Sequence, residues 1–402
     1  MTAVNPEILV WARETAGLTV DEAVEKLGIG DTKRGTGIER LRSLESGNEL
    51  PTRPLLLKMA QHYRRPILTF YLAAPPRRGD RGEDFRNLPD GQPPRDRALA
   101  DVVVRDISAR QSLVRNLLIE EDEDEKLDFV GSARKNEGAT ELARVIAERI
   151  GFQLPLFRRN RSLEEAFTYL RSLVESAGIF VLLVDNLGSH HTEIPIETFR
   201  GFAISDNIAP FVAINANDSK GAITFTLLHE LCHIWLGQTG VSGQRSVREI
   251  EKFCDEVAGE ILVPKNELQS LRIPPDINFT NLKDVVSTFS RARNVSSTML
   301  SFKLLQAGQI TQESFEALRA SFRSDFLRSR QLNRERSRDA EGGPTYPVIK
   351  RFRAGQALVK LIERMLGSGA ITTVKAGRVL GVSGKSVESI IRPARQSNVI
   401  GG

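Results

Sequence analysis

Over most of the 402 residues apolar positions recur every three or four, the period of a helix with one buried face. Only between residues 179 and 215 do they run together as short strands. Ile8, Leu9, Trp11 and Ala12 share one side of Pro6–Thr15, and Thr19 with Glu22 forms a capping box that opens a helix stopped by Gly28. After the Gly-rich stretch DTKRGTG come Ile38–Leu44, the turn ESGNELPT, Leu55–Tyr63 and Pro66–Leu72, a bundle of helix-turn-helix proportions. Ala98–Glu123, Thr140–Ile150 and Leu163–Ala177 read as further helices. Ile179–Asp185, Phe199–Ser205 and Pro210–Asn215 read as strands of a small antiparallel or mixed sheet. Helices then follow at Ala222–Thr239, Ser246–Val263, Leu282–Ser290, Ser297–Ala307, Gln312–Phe322 and Ala354–Leu366. The closing stretch ITTVKAGRVLGVSGKSVESIIRP repeats helix-turn-helix proportions around Gly381. The fold class expected is α+β and mostly helical.

Breaks in this pattern divide the chain. Residues 73–97, rich in Pro, Gly and Arg, read as a linker between a bundle at 1–72 and a domain at 98–322. The Arg-rich, apolar-poor stretch 323–344 reads as a second linker, leaving 345–402 as a helical C-terminal domain.

Composition adds compartment and charge. With 40% hydrophobic and 27% charged residues the chain is typical of soluble globular proteins, and no apolar run is long enough to span a bilayer. Glu7 and Arg13 interrupt the N-terminus too early for a secretory signal, and Cys232 with Cys254 makes no disulfide framework, so a reducing cytoplasm and no membrane partner are expected. The net charge of +5 is uneven: from Ser321 to Gly402 there are sixteen Lys and Arg against six Asp and Glu, so the basic character is C-terminal. Over residues 1–80 the balance is only twelve basic against ten acidic, and the third helix carries Glu39 and Glu45 beside Arg40 and Arg42. Binding of DNA by the N-terminal bundle and docking of a protein therefore both stay open, and the basic tail is a second candidate for DNA.

The chemistry concentrates in Ala222–Thr239. His229, Glu230 and His233 form HExxH, and residues four apart on a helix share a face, so both imidazoles can reach one metal ion with Glu230 beside it. That is the arrangement a zinc hydrolase needs: two neutral imidazoles hold the ion and the carboxylate takes a proton from water. Leu227, Leu228, Leu231, Ile234, Trp235 and Leu236 make the helix apolar almost all round, and a metal would offset the burial of its polar trio. Cys232 projects to the flank of the ligand face and reads as apolar filler. The run EEDEDEK at 120–126 reads as a solvated helix end.

No third histidine follows His233 within reach, so a carboxylate on a following helix must complete the set. Glu249, Glu251, Asp255, Glu256 and Glu260 are the candidates, and periodicity does not choose among them.

The blocks TFTLLHELCHIWLG and IEKFCDEVAGEILVP resemble the ImmA/IrrE family of zinc peptidases, as do DFRNLP, RGFAISD and PFVAIN upstream. Residues 1–72 resemble the Xre-type helix-turn-helix through TVDEAVEKLG, LESGNELPT and LLLKMAQHYRRPILTFYL. Aligned on Pro264, the resemblance implies Glu260 as the third ligand, hence a zincin-like peptidase with Zn2+ on His229, His233 and Glu260 and Glu230 as general base. It also implies a partner repressor, itself a helix-turn-helix protein, as the substrate, whose cleavage switches genes of a mobile element or a stress response. Asn215, Arg200 and His191 are candidate substrate or oxyanion contacts, with His190 and Tyr346 beside them, and PFVAIN is a strand that could receive extended substrate by edge pairing. Two other readings are a DNA-binding regulator in which the peptidase fold is a scaffold or sensor, and one component of a toxin-antitoxin-like pair.

Overall fold

The computed structural model describes residues 4–32, 35–76, 94–186, 193–238, 244–274, 276–339 and 343–392. It is mostly helical with one small mixed sheet, and the chain divides into the units Met1–Ile107 and Ser108–Gly402. Among the described residues no helix is long and apolar enough to cross a membrane.

The first unit is built from α1 (Pro6–Thr15), α2 (Val20–Leu27), α3 (Gly37–Glu45) and α4 (Arg53–His62), followed by a 3-10 turn at Ile67–Tyr71. Each helix starts where the sequence supplies a cap: Asn5 with Pro6, the Thr19–Glu22 and Thr36–Glu39 capping boxes, and Thr52 with Pro54. Ile8, Leu9, Leu27, Leu41, Leu44, Leu56, Met59 and Phe70 close its core. Arg13 and Glu45 pair at 2.6 Å where α1 meets α3, so Glu45 faces inward and not toward a partner. Glu39 is tied to its own cap and Arg40 to Glu49 at 3.3 Å, which leaves Arg42 as an exposed charge of α3.

Helix α5 (Pro94–Glu120) carries the chain into the second unit, where α6 (Ala139–Ile150), α7 (Leu154–Arg158) and α8 (Leu163–Ser176) precede the sheet. Strands β1 (Phe180–Val184), β2 (Gly201–Ile204) and β3 (Phe211–Asn215) stand in the order β1-β3-β2, with β1 parallel and β2 antiparallel to β3. Residue alternation divides the faces: Val181, Leu183, Val212, Ile214 and Ala203 enter the large core, while Phe180 and Phe211 meet ring to ring on the other side. Being paired on both flanks, β3 has no free edge, which corrects the expectation that PFVAIN receives substrate by edge pairing. The two edge strands are β1 and β2, and it is β2 that begins beside Glu230 of the following helix. Since Asn215 N–H donates to Arg200 O, the ladder alternation turns the N–H and C=O of Gly201 and Ala203 away from β3.

Next come α9 (Lys220–Leu236), α10 (Gln244–Leu262), α11 (Lys265–Ser270), α12 (Phe279–Arg291) and α13 (Ser297–Gln306). The apolar girth of α9 is explained by its neighbours: α8, α10 and the sheet all pack on it, and Trp235 stacks on Phe129 with ring centroids 4.4 Å apart. Then α14 runs unbroken over Gln312–Asp339, through the stretch read as a linker beyond Phe322. Up to Asp339 that stretch holds no Gly or Pro and carries six Arg and two Leu, so helix propensity outweighs its lack of apolar positions, and the helix stops before Gly342, Gly343 and Pro344.

The chain ends in α15 (Tyr346–Ala354), α16 (Gln356–Gly367), α17 (Thr373–Leu380) and α18 (Val387–Ile391). A buried pair on α8 fastens this end to the sheet. Arg171 meets Glu175 at 3.0 Å and donates to the carbonyls of Val181, Phe352 and Arg353, while Glu175 accepts from the N–H groups of Gln356 and Ala357 at 3.0 and 3.2 Å. One ion pair thus satisfies the carbonyl end of α15 and the amide end of α16. Gly355 between them has φ +86, where a side chain would meet both groups.

Candidate metal centre

Ser219 caps the start of α9 and Gly237, in the left-handed region, ends it. Within the helix the four-residue spacing brings Nε2 of His229 and Nε2 of His233 to 3.1 Å from each other. The facing helix α10 supplies Glu251, whose oxygens lie 3.1 Å from His229 Nε2 and 3.4 Å from His233 Nε2. One ligand atom from each of His229, His233 and Glu251 lies within 4.8 Å of the others. Asp255, one turn further along α10, holds His229 from behind, with Oδ1 at 2.9 Å from Nδ1. The Nδ1–H of His229 donates to that carboxylate, which leaves the lone pair of Nε2 pointing at His233 and Glu251.

This donor set fits a divalent cation of borderline softness: two imidazole nitrogens and one carboxylate converge from two packed helices, with a second carboxylate fixing the tautomer of one imidazole. Burial opposes the protonated form of His229, but the hydrogen bonds it makes to the carboxylates of Asp255 and Glu251 outweigh it and raise its pKa well above the usual histidine range. The reciprocal effect is that Glu251, despite its burial, is held far below the usual carboxylate range by the two imidazoles.

Glu230 is 6% exposed, beside the cluster. Burial pushes its carboxyl upward, the two imidazoles oppose this, and Glu251 and Asp255 add to it. The first residue of the edge strand lies directly against it: a Cβ placed on Gly201 would be 2.9 Å from Glu230 Oε1 and 2.5 Å from Thr226 Cγ2. Strand β2 therefore passes the carboxylate with nothing but backbone between them.

The other expected contacts fall elsewhere. Glu260, which the resemblance implied as third ligand, is not in the cluster. It follows Glu251 by nine residues on α10, a rise of roughly 13 Å. Its carboxylate accepts from Lys265 N–H at 3.2 Å and stands 3.6 Å from Lys303 Nζ, a buried ammonium that donates to Gly259 O and Val263 O at 2.8 and 2.6 Å. The partner of Glu260 is thus the buried Lys303. The pair Glu251 and Asp255 had its own signal in the sequence, an i, i+4 repeat of acids matching the i, i+4 repeat of histidines, but only helix packing sets which acid faces α9. Of the remaining candidates, Glu249 is on the surface, paired with Lys135 at 2.6 Å.

Asn215 is fully buried and its amide is committed: Nδ2 donates to the carbonyls of Ile194, Pro195 and Phe199, and Oδ1 accepts from Asn217 N–H. It braces the loop that feeds into β2 and has no donor left for a substrate. Arg200 precedes Gly201 and by alternation takes the opposite face; it is exposed and lowers the carboxyl of Asp218, which burial raises. His190 and His191 lie outside the described residues. Tyr346 is exposed at the start of α15. Cys232 and Cys254 are both buried between α9 and α10. Burial and their mutual contact push the Cys254 thiol far up, so it is neutral filler.

Residues 184–300 match the model of the Peptidase_M78 family, described as the IrrE N-terminal-like domain. The matched segment contains β2, β3, α9 and α10, and so His229, His233 and Glu251 of the cluster, with Asp255 and Glu230 beside them. It supports the metallopeptidase part of the resemblance, while residues 1–183 and 301–402 lie outside it. No curated protein and no solved structure matches the chain.

Proposed function

We propose that this chain is a regulatory zinc-dependent endopeptidase of the cytoplasm that cuts a partner protein, a helix-turn-helix repressor, to switch gene expression. The observation that carries the reading is the convergence of His229, His233 and Glu251 on one point, with Glu230 and the edge strand beside it. These three side chains would hold zinc, which when bound would supply Lewis-acid polarisation of the scissile carbonyl and a more acidic attacking water. Glu230, buried beside the cluster, would take the proton of that water and pass it to the leaving amine nitrogen. Asp255 keeps His229 in the tautomer and orientation that presents Nε2. Gly201 and Ala203, with outward-facing N–H and C=O groups, offer an extended peptide a strand to pair with, next to Glu230.

The test joins metal content to cleavage. Purified chain should carry one zinc per molecule and cut a repressor encoded beside its gene at a single position, read by mass spectrometry. Glu230→Gln should keep the zinc and lose the cleavage. A chain without stoichiometric zinc, whose effect in cells survives Glu230→Gln, would instead support the regulator reading, with the capped α2 and α3 of the first unit as its DNA reader.

A further inference from the structure

Peptide hydrolysis makes no use of the C-terminal helices, although residues 345–392 carry nine Lys and Arg against two Glu, a net of +7. Their arrangement is specific. Helix α17 is opened by the Thr372 hydroxyl, which accepts from Lys375 N–H at 3.3 Å, and is ended by Gly381 at φ +70. Three residues on, a 3-10 turn at Gly384–Ser386 runs straight into α18, so the second helix spans residues 384–391. The two helices cross backbone to backbone: a Cβ on Gly377 would stand 2.8 Å from Val382 O and 2.9 Å from Gly384 N. Ala376, Leu380, Val387 and Ile390 are buried where this pair packs on α16, and Arg351 of α15 caps the second helix by donating to Ile390 O and Ile391 O at 3.0 and 2.5 Å. A helix, a three-residue turn with glycine and a second helix laid across the first make a helix-turn-helix.

Several of the cations are engaged within the molecule. Arg353 pairs with Asp185 at 2.5 Å, Arg364 with Glu123, and Lys375 with Glu120 at 3.0 Å, so acids of the run at 120–126 help to hold these helices in place. Others are free. Lys385 on the second helix and Arg378 on α17 are exposed, and neither has an ion-pair partner among the described residues. Around Lys385 the open side of the second helix is small and polar, with Ser386 and Ser389, while Val387, Ile390 and Ile391 are all buried. Its one acid, Glu388, has Arg392 3.7 Å away.

We infer that α17 and the second helix read double-stranded DNA, the second helix entering the major groove and α17 crossing the backbone. Lys385 and Arg378 supply phosphate contacts, and Ser386 and Ser389 offer hydroxyl oxygens to base edges, where the Glu388 carboxylate can accept from a cytosine amino group. A docked protein would call for an apolar or aromatic anchor at the centre of the face, and the second helix exposes none. The rival place for a DNA reader is α3 of the first unit, which keeps Arg40 paired with Glu49 and lies in a stretch of twelve basic against ten acidic residues. The positive excess is at the other end of the chain.

The full-length chain should be titrated with a labelled random-sequence DNA duplex and with a single-stranded RNA of equal length, each over a series of salt concentrations. The duplex should bind about tenfold or more tighter than the RNA, with affinity falling steeply as salt rises. Lys385→Glu should weaken duplex binding about tenfold or more, and Lys385→Ala and Arg378→Ala should each lower the slope of log affinity against log salt by about one. Thermal melting should be unchanged in all three, since both side chains are exposed and unpaired. Arg42→Ala, at the exposed charge of α3, should leave duplex binding as it is. An absence of salt-dependent duplex binding, binding that survives Lys385→Glu, binding lost in Arg42→Ala, or a preference for the RNA would each overturn the assignment. Glu230→Gln should bind the duplex like the wild type, so this surface stands or falls separately from cleavage.

Discussion

Asp255 Oδ1 lies 2.9 Å from Nδ1 of His229, and this one contact decides which nitrogen of the imidazole faces the proposed metal. Loss of such a supporting carboxylate typically lowers metal affinity about 10- to 100-fold. Asp255→Ala should show that loss in competition with a chelator while the fold persists. Asp255→Asn, which still accepts the hydrogen bond, should recover part of it. Unchanged affinity in Asp255→Ala would mean that His229 is oriented by packing alone.

Glu251 and Glu260 should separate cleanly. Glu251→Gln removes the charged member of the cluster and should abolish stoichiometric metal with the helices intact. Glu260→Gln should retain the metal but lower the melting temperature, because it leaves the Lys303 ammonium buried with only carbonyl partners. The cost of removing one member of such a buried pair is of the order of 3–5 kcal/mol at most. Metal analysis and thermal denaturation of the two variants decide the matter: loss of metal in Glu260→Gln would restore the ligand set that the resemblance implied.

Gly201 is where β2 meets Glu230. A valine there would place a branched side chain into the space of Thr226 Cγ2 and Glu230 Oε1. Gly201→Val should therefore retain metal and lose cleavage by about 100-fold or more, the scale of displacing a catalytic group by about 1 Å. Gly201→Ala should fall between the two. Full activity in Gly201→Val would show that Glu230 does not occupy this position during turnover.

Away from the site, Glu267 of α11 ties together two other segments. It pairs with Arg158 of α7 and, at 2.6 Å, with Arg293 in the turn after α12. Burial works against its charge, but the two guanidinium groups outweigh this and hold its pKa below the usual carboxylate range. A carboxyl depressed in the folded state contributes stability above its unfolded pKa, about 4.3 for Glu, and loses it as pH falls through the folded value. Urea melts of Glu267→Gln should thus show reduced stability at neutral pH and a shallower decline than the wild type below about pH 4.3. Parallel curves for the two proteins would contradict this.

Local physics made much of the molecule legible in the sequence. The capping box at Thr19, the Gly28 stop and the apolar repeats of α6 and α8 each act within a few residues, so these elements stand close to where the pattern places them. The HExxH spacing likewise carries its own geometry, because a helix fixes which side chains share a face. Helix α14 went unread beyond Phe322 because an exposed helix needs no apolar face, only good formers and no breaker.

What the sequence by itself determined, then, is the set of elements and the pair of histidines on α9 with Glu230 beside them. The tertiary structure alone decided the rest. Which acid of α10 completes the cluster depends on the rotation of α10 against α9, and that packing turns Glu251 and Asp255 toward the histidines and sends Glu260 to Lys303. That β3 is the central strand, with β2 left at an edge, depends on β1 pairing with β3 across a long separation in sequence. Both are contacts between segments distant in sequence, fixed by burial of faces and not by any local preference, and so one chain pattern leaves several of them open.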